Sequence, residues 1–293
     1  MVYVLMALLG IGGAIFTVMR SRARAELLSV YLVAWGLVCI AEWLAHSMFD
    51  LYRYRTGLSL NPHYDTAWGI FLGEFIFLPA LNVILVGYFR PWLAVIIGTL
   101  LVTVMEIVFV PLGLFIQTGW RLWHTIVTFP LYFGAVGLYW HWAKKTGMKD
   151  GRLLAVARYG AIVGLVTTGS LYVYATQVTE TDLRLLPTAE ATGSMVRLFM
   201  HGIGMWLGFW ALRPEAWSER WGRIAVTIAA MIVVTDAFTG FGLLYFLRPF
   251  SGVMDAGAIG VITVLAGLIM DWVRGLAKGA PAPRAAHWEP PDV

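Results

Sequence analysis

Four carboxylic acids lie inside long apolar stretches of this chain, which otherwise confines its charged residues to the gaps between such stretches. They are Glu42, Glu74, Glu106 and Asp236. Inserting an ionised acid into a bilayer costs at least about 2.5 kcal/mol even on lenient scales. Acids within membrane spans therefore indicate a shared polar interior and a functional role. A buried carboxyl group can give or take a proton, and this chemistry makes the four acids candidate catalytic residues.

Two histidines join these candidates, His46 in the second apolar stretch and His201 in the seventh. Glu42, His46 and Asp50 recur at every fourth residue, which predicts one polar face of a helix. Three interpretations remain open: a proton wire, two ligands of a metal site completed by His201 or Asp236, or a Glu–His hydrogen bond with Asp50 in solvent. The HExxH and HxxxH patterns do not occur, so a metal is left unassigned. No cofactor is predicted.

The composition excludes a soluble domain. Hydrophobic residues make up 59% of the 293 residues and charged residues 13%, with a mean hydropathy of +0.74. These values are typical of an integral membrane protein. The formal net charge of +4 is accounted for by the sidedness described next, and no nucleic-acid partner is implied.

Apolar stretches of about 20 residues, the length that crosses a bilayer, predict nine transmembrane spans. The sequence therefore predicts an all-α polytopic transmembrane helical bundle. The spans are Val2 to Met19, Glu26 to Phe49, Ala67 to Phe89, Pro91 to Ile116, Trp120 to Ala143, Ala157 to Val178, Ser194 to Leu212, Arg223 to Leu247 and Met254 to Val273.

Lysine and arginine residues concentrate in alternate gaps, after spans 1, 3, 5, 7 and 9, as the positive-inside rule requires. This pattern predicts a multi-pass protein of the cell membrane with the N-terminus outside and the C-terminus inside. At about 1.5 Å per residue, the four acids and His201 then share the outer half of the bilayer. The inner half is apolar, which favours a cavity that opens outward or laterally over a pore.

Three prolines are predicted to bend helices beside the acids and so to make room for a cavity. Pro79 and Pro111 each follow an acid by five residues, and Pro130 lies in the fifth span.

Spans 3 to 5 carry a resemblance. The run Gly73-Glu74-Phe75-Ile76-Phe77-Leu78-Pro79, then Met105-Glu106-Ile107, then Gly119-Trp120-Arg121-Leu122-Trp123 resembles a family of small, uncharacterised multi-pass membrane proteins of spore-forming bacteria. The similarity covers about the first 145 residues and implies no activity. It implies a five-helix unit over residues 1–145 and a four-helix unit over 146–278. Residues 279–293 are rich in proline with little hydrophobic pattern, which predicts a disordered cytoplasmic tail.

A second resemblance has chemical content. Ala41-Glu42-Trp43 in span 2 and Thr235-Asp236 in a late span are similar to the layout of transmembrane terpene cyclases of meroterpenoid pathways. This resemblance implies that Glu42 or Asp236 protonates an epoxide or an alkene. Here the order is Glu-Trp where those cyclases have Trp-Glu, and nine spans are predicted where they have seven.

The sequence thus leaves three functions open. One is a membrane enzyme that applies acid/base chemistry to an amphiphilic lipid or isoprenoid, with membrane lipids and a hydrophobic small molecule as partners. The second is a proton- or ion-coupled transporter, in which the same acids load and unload protons. The third is a non-catalytic scaffold or sensor whose polar residues only hold helices together.

Overall fold

We describe the fold from a computed structural model of the chain. The structure describes residues 1–148, 150–176, 179–180, 189–213, 216–240, 245–246 and 251–279. Of the predicted disordered tail, residues 280–293 lie outside the described residues. The described part is mostly helical, as predicted.

The first half of the chain contains six α-helices, two π-helical segments and two short strands within the described residues. In order these are α1 (Val2–Arg20), α2 (Arg24–Glu42), the first π segment (Trp43–Met48), β1 (Tyr52–Tyr54), α3 (Pro62–Gly69), the second π segment (Ile70–Phe77), α4 (Leu78–Tyr88), α5 (Pro91–Phe109), β2 (Phe115–Gln117) and α6 (Leu122–Thr146). The two π segments continue the helices before them, so α2 and α3 each lead into a wider turn.

The second half is built mainly of long helices. These and two short strands are α7 (Gly151–Thr176), β3 (Thr179–Glu180), α8 (Ala189–Ala211), α9 (Trp217–Gly240), β4 (Tyr245–Phe246) and α10 (Ser251–Gly279). Strands β3 and β4 pair antiparallel.

Five helices in the described part are long and apolar enough to cross a membrane: Val2–Arg20, Arg24–His46, Pro62–Tyr88, Pro91–Phe109 and Gly257–Ala277. They correspond to predicted spans 1, 2, 3, 4 and 9. Helices also lie at the positions of the other four predicted spans. The full count of nine crossings and the orientation stay predictions.

Two predicted spans are too long. Span 4 was expected to reach Ile116, but α5 ends at Phe109, and Pro111 lies in the turn that follows rather than at a bend within the helix. A proline lacks the N–H that would continue the helix, which explains an end at this point. Span 8 is predicted to reach Leu247, but Tyr245 and Phe246 form strand β4.

One buried apolar cluster includes residues of both halves, from Tyr3 in α1 to Val273 in α10. Helix α2 packs against α7 at two glycines: a Cβ on Gly36 would lie 2.6 Å from the Cα of Gly160. Side chains larger than hydrogen at these positions would force the two backbones apart. The predicted division at residue 145 therefore separates two helices that pack closely, and as a domain boundary it stays a prediction.

Candidate functional site

Glu42 is the last residue of α2 and directly precedes the first π segment. Its side chain is 4% exposed. A π segment widens the helical turn and re-aims the side chains beside it, and such segments are frequent at functional sites. Here the widened turn begins at the carboxyl group that faces the interior.

Glu74 and Glu106 come from two other helices. Glu74 lies within the second π segment, and Glu106 lies one turn before the end of α5. Three helical elements thus each bring one of the predicted acids to the same region, where all three line one cavity.

The two-stranded sheet of β1 and β2 forms one end of this cavity. The strands pair antiparallel, with Tyr52 opposite Gln117 and Tyr54 opposite Phe115. Alternate residues of a strand face the same side, and directly opposite residues share a face. These four side chains therefore point together toward the glutamates, while Arg53 between the two tyrosines is exposed.

Backbone hydrogen bonds fix the sheet in place. The carbonyl oxygen of Leu51 accepts from the N–H groups of Thr118, Gly119 and Trp120 at 3.0, 2.8 and 2.7 Å. On the other side of β1, the carboxylate of Asp65 accepts from the backbone of residues 56 to 59 and from the hydroxyl of Thr56. The sheet is thus tied to the start of α6 and to the first turn of α3.

Each glutamate accepts hydrogen bonds from neutral donors of the sheet or its surroundings. The Tyr52 hydroxyl donates to Glu42 Oε2, and the Tyr54 hydroxyl donates to Glu74 Oε1 at 2.5 Å. Around Glu106 the donors are the Nε2 of Gln117, at 2.6 Å, and the hydroxyl of Thr125, which in turn accepts from the indole N–H of Trp120 at 2.8 Å.

Glu42 differs from the other two acids in one respect. Its second oxygen, Oε1, is buried and has no hydrogen-bond partner among the described residues. A buried polar atom without a partner costs about 1–3 kcal/mol, so such an atom in a native structure calls for an explanation. A ligand in the cavity would supply one.

The two tyrosines stay neutral donors over the whole physiological range. Burial raises the pKa of the Tyr52 hydroxyl well above its usual value, and the neighbouring carboxyl of Glu42 raises it further. Burial likewise raises the pKa of Tyr54, with the carboxyl of Glu74 as the next cause.

The cavity has a volume of about 360 Å³, within the range of small-molecule pockets. Apart from the three glutamates its lining is apolar or aromatic, with a few hydroxyl groups. The aromatic members are Tyr3, Phe49, Tyr52, Tyr54, Phe77, Phe109, Phe115, Trp120, Phe129 and Tyr132.

The mouth of the cavity lies on its side rather than at the sheet. The lining residues that are also exposed are Ala41, Leu44, Phe49 and Thr128, with Leu44 at 47% and Phe49 at 61%. They lie on the end of α2, the first π segment and α6, so the cavity opens between these elements among mainly apolar side chains.

The lining residues Val38, Leu78, Val102 and Tyr132 lie one to two helical turns beyond the glutamates and Thr125, on the side away from the sheet. The hydroxyl of Tyr132 donates to the carbonyl oxygen of Ala34 at 3.2 Å.

His46 and Asp50 do not join Glu42 in the described lining of the cavity, although a regular α-helix would place all three on one face. The ring of His46 is buried outside the cavity lining, with its Nδ1 3.1 Å from the carbonyl oxygen of Tyr52. A carbonyl only accepts, so Nδ1 carries the proton. Asp50 is exposed and pairs with Arg53 at 2.6 Å.

The remaining candidates lie elsewhere. His201 on α8 is buried with its ring 6.1 Å from that of Trp43, and it is outside the described lining. Asp236 on α9 is exposed and also outside that lining. Within the described residues no group of three or more His, Cys, Asp or Glu side chains is placed to hold a metal ion.

The donors Tyr52, Tyr54, Gln117 and Thr125 were not among the residues selected from the sequence. The alternation Tyr-Arg-Tyr at residues 52–54 is the signal of a short half-buried strand. The donor Gln117 and its strand were hidden because the fourth span was extended to Ile116.

Searches against models of protein families, curated protein sequences and solved structures found no match to this chain.

Proposed function

We propose that this chain is a membrane-integral enzyme that isomerises or cyclises an amphiphilic, mainly hydrocarbon substrate, with Glu42 as the proton donor. The observation that carries the proposal is the Oε1 atom of Glu42, buried without a partner beside an apolar cavity.

The shape of the cavity supports a substrate of this class. Its mouth lies among Leu44 and Phe49, on helices long and apolar enough to cross a membrane or directly after them. An isoprenoid or lipid chain can enter by this route from the hydrocarbon of the bilayer. The apolar lining then holds the chain, and the carboxyl groups meet its reactive end.

The proposed chemistry is a balanced proton transfer. Glu42 gives its proton to an alkene carbon or an epoxide oxygen, which leaves the substrate with a positive charge that the aromatic lining and the other two carboxyl groups stabilise. The alkene π bond or the epoxide C–O bond breaks as a new bond forms within the substrate or a double bond shifts. A proton then leaves the carbon next to the cation to Glu74 or Glu106, and Glu42 regains a proton from these acids before the next turnover. The product is an isomer of the substrate, and no oxidant or reductant takes part.

Two features favour an enzyme over the other functions that the sequence allows. A scaffold would pair its acids individually without a cavity, whereas here the three acids share one. A transport path would carry polar side chains past the acids, whereas Val38, Leu78 and Val102, one turn beyond them in the described lining, are apolar. With the nine predicted spans, this enzyme would lie in the cell membrane, with the sheet of β1 and β2 on the outer side. The resemblances to the uncharacterised membrane family and to the terpene cyclases also remain part of the proposal.

The test is lipid conversion by the purified protein. The protein in nonionic detergent is incubated with a total lipid extract of the organism's own membranes, in H₂O and in D₂O, and the products are separated by liquid chromatography with mass spectrometry. We expect a new species of unchanged mass and altered retention, and one added deuterium in D₂O if an alkene carbon is protonated.

The variant Glu42→Gln should abolish this species, while the matched change Glu219→Gln, at an exposed glutamate of α9, should leave it unchanged. Identical lipid profiles for the wild type and Glu42→Gln would overturn the proposal.

A further inference from the structure

The charged side chains of the described cavity lining are all acidic. Three glutamates line the cavity, and the described lining contains no lysine, arginine or histidine. The donors that reach the carboxyl groups, such as the hydroxyls of Tyr52 and Tyr54, bring no positive charge. Any positive charge in this space must therefore come from a ligand.

Aromatic rings line the same end of the cavity. The ring of Tyr52 lies 5.0 Å from that of Phe115 and 5.4 Å from that of Trp120, and the ring of Tyr54 lies 5.5 Å from that of Tyr3. Aromatic rings attract cations through their quadrupole, and clusters of them bind quaternary ammonium groups. Rings and carboxyl groups thus favour the same kind of ligand.

Glu42 adds the observation that a cluster of acids lacks by itself. Its side chain is 4% exposed and its Oε1 has no partner among the described residues. Once Glu42 has given up its proton, a cation beside it would form an ion pair in a setting of low dielectric constant, where the attraction is much stronger than in water.

We infer that the cavity binds single-chain amphiphiles whose head is a tertiary or quaternary ammonium group, with the head beside Glu42 under the sheet and the chain in the mouth at Leu44 and Phe49. The inference deepens the proposed function and rests on it for taking this cavity as the substrate site. In that setting the ammonium group occupies the place where the substrate develops positive charge, so such amphiphiles also inhibit turnover.

The binding test compares two probes of the same shape. Dodecyltrimethylammonium carries a fixed positive charge, and its neutral counterpart has a tert-butyl group in place of the trimethylammonium. Binding to the purified wild type in dodecyl maltoside is followed by native mass spectrometry and by the melting temperature. We expect one bound molecule of the charged probe, with roughly tenfold higher affinity than the neutral one.

Substitutions locate the site. Glu42→Gln should reduce or abolish the preference for the charged probe, whereas Glu219→Gln should retain it. Equal affinity of the wild type for both probes overturns the inference without need of any variant. An unchanged charge preference in Glu42→Gln overturns it as well.

The two proposals fail separately. Charge-selective binding without any lipid conversion would leave the inference standing and remove the enzymatic function. Lipid conversion that depends on Glu42, without charge selectivity, would leave the enzyme and remove the ammonium site.

Discussion

Carboxyl groups meet two different environments in this molecule, and the difference is the charge of their donors. Between α9 and α10, the Nη1 of Arg220 donates to Asp271 Oδ2 at 2.6 Å, and the indole N–H of Trp217 donates to the same oxygen at 3.0 Å. Under the sheet, Glu42 and Glu74 accept from tyrosine hydroxyls, which are neutral.

The comparison separates a structural acid from an acid available for chemistry. A guanidinium group neutralises Asp271 and fixes it in a charge-assisted geometry, which holds two helices together. The glutamates of the cavity are oriented by their donors but not neutralised by them. A proton or a ligand cation remains to be supplied.

The largest effect is expected for Glu42→Gln, which removes the acid of the cavity that has an unpartnered oxygen in the described part of the chain. We expect lipid conversion to fall by roughly 10²- to 10⁴-fold, the range of a lost general acid, because the amide cannot give up a proton in the same way. The amide still fills the space and still accepts from Tyr52, so the melting temperature should change little. Retained conversion in a folded Glu42→Gln protein would show that the cavity acids are as structural as Asp271.

Much of the fold follows from the sequence because hydrocarbon imposes strict rules. An apolar stretch of about 20 residues must be a helix in a bilayer, since every backbone group must be satisfied internally. Because ionisable groups are costly in hydrocarbon, acids at one depth are predicted to converge. The structure brings Glu42, Glu74 and Glu106 to one cavity.

The rest of the site depends on features that periodicity does not encode. The spacing of Glu42, His46 and Asp50 predicts one continuous helical face, but the first π segment ends at Met48, so Asp50 follows the helix and is exposed. The sheet forms by pairing residues more than 60 positions apart, a tertiary event with a weak local signal. Asp236 is a candidate because it is an acid within an apolar stretch and through the resemblance to terpene cyclases, and neither determines which way its helix faces.

The second prediction concerns the structural acid. Asp271→Asn removes a carboxylate to which Arg220, itself 2% exposed, donates two hydrogen bonds. Breaking one side of a buried ion pair is strongly destabilising, and because Asp271 is itself partly exposed we expect about 3 kcal/mol, at the low end of that range. Thermal unfolding in dodecyl maltoside measures the loss.

The double change Arg220→Met and Asp271→Leu is the control for that experiment. Since apolar replacement of both partners of a buried pair costs less than removal of one, the double variant should lose less stability than Asp271→Asn. Binding of dodecyltrimethylammonium to folded protein should be unchanged in both. A charge preference that disappears with Asp271 would mean that the two regions are coupled.

A smaller effect is expected for Tyr52→Phe. This change leaves the buried Glu42 carboxyl without the hydroxyl that donates to its Oε2, at a cost of about 1–2 kcal/mol. The matched change Tyr159→Phe, at an exposed tyrosine, should cost almost nothing. Equal melting temperatures for the two variants would contradict a role for Tyr52 in orienting the acid.

The pH dependence of stability at alkaline pH tests the burial of the Tyr52 hydroxyl independently. Burial raises the pKa of Tyr52 in the folded chain, so on going above about pH 10 the unfolded chain releases this proton first. Stability then falls as the pH rises. Between pH 9 and pH 11, the stability of Tyr52→Phe should decline less than that of the wild type, and a parallel decline would contradict the expected shift.

The smallest effect is expected for Asp236→Asn, and its size decides how far the resemblance to terpene cyclases extends. That resemblance pairs Glu42 with Asp236 in catalysis, whereas Asp236 is exposed on α9 outside the described lining of the cavity. Substitutions at exposed positions usually change stability by less than about 0.5 kcal/mol, and we expect lipid conversion within about twofold of the wild type. A loss comparable to that of Glu42→Gln would place Asp236 in the machinery after all. The catalytic site would then have to include α9 as well as the cavity.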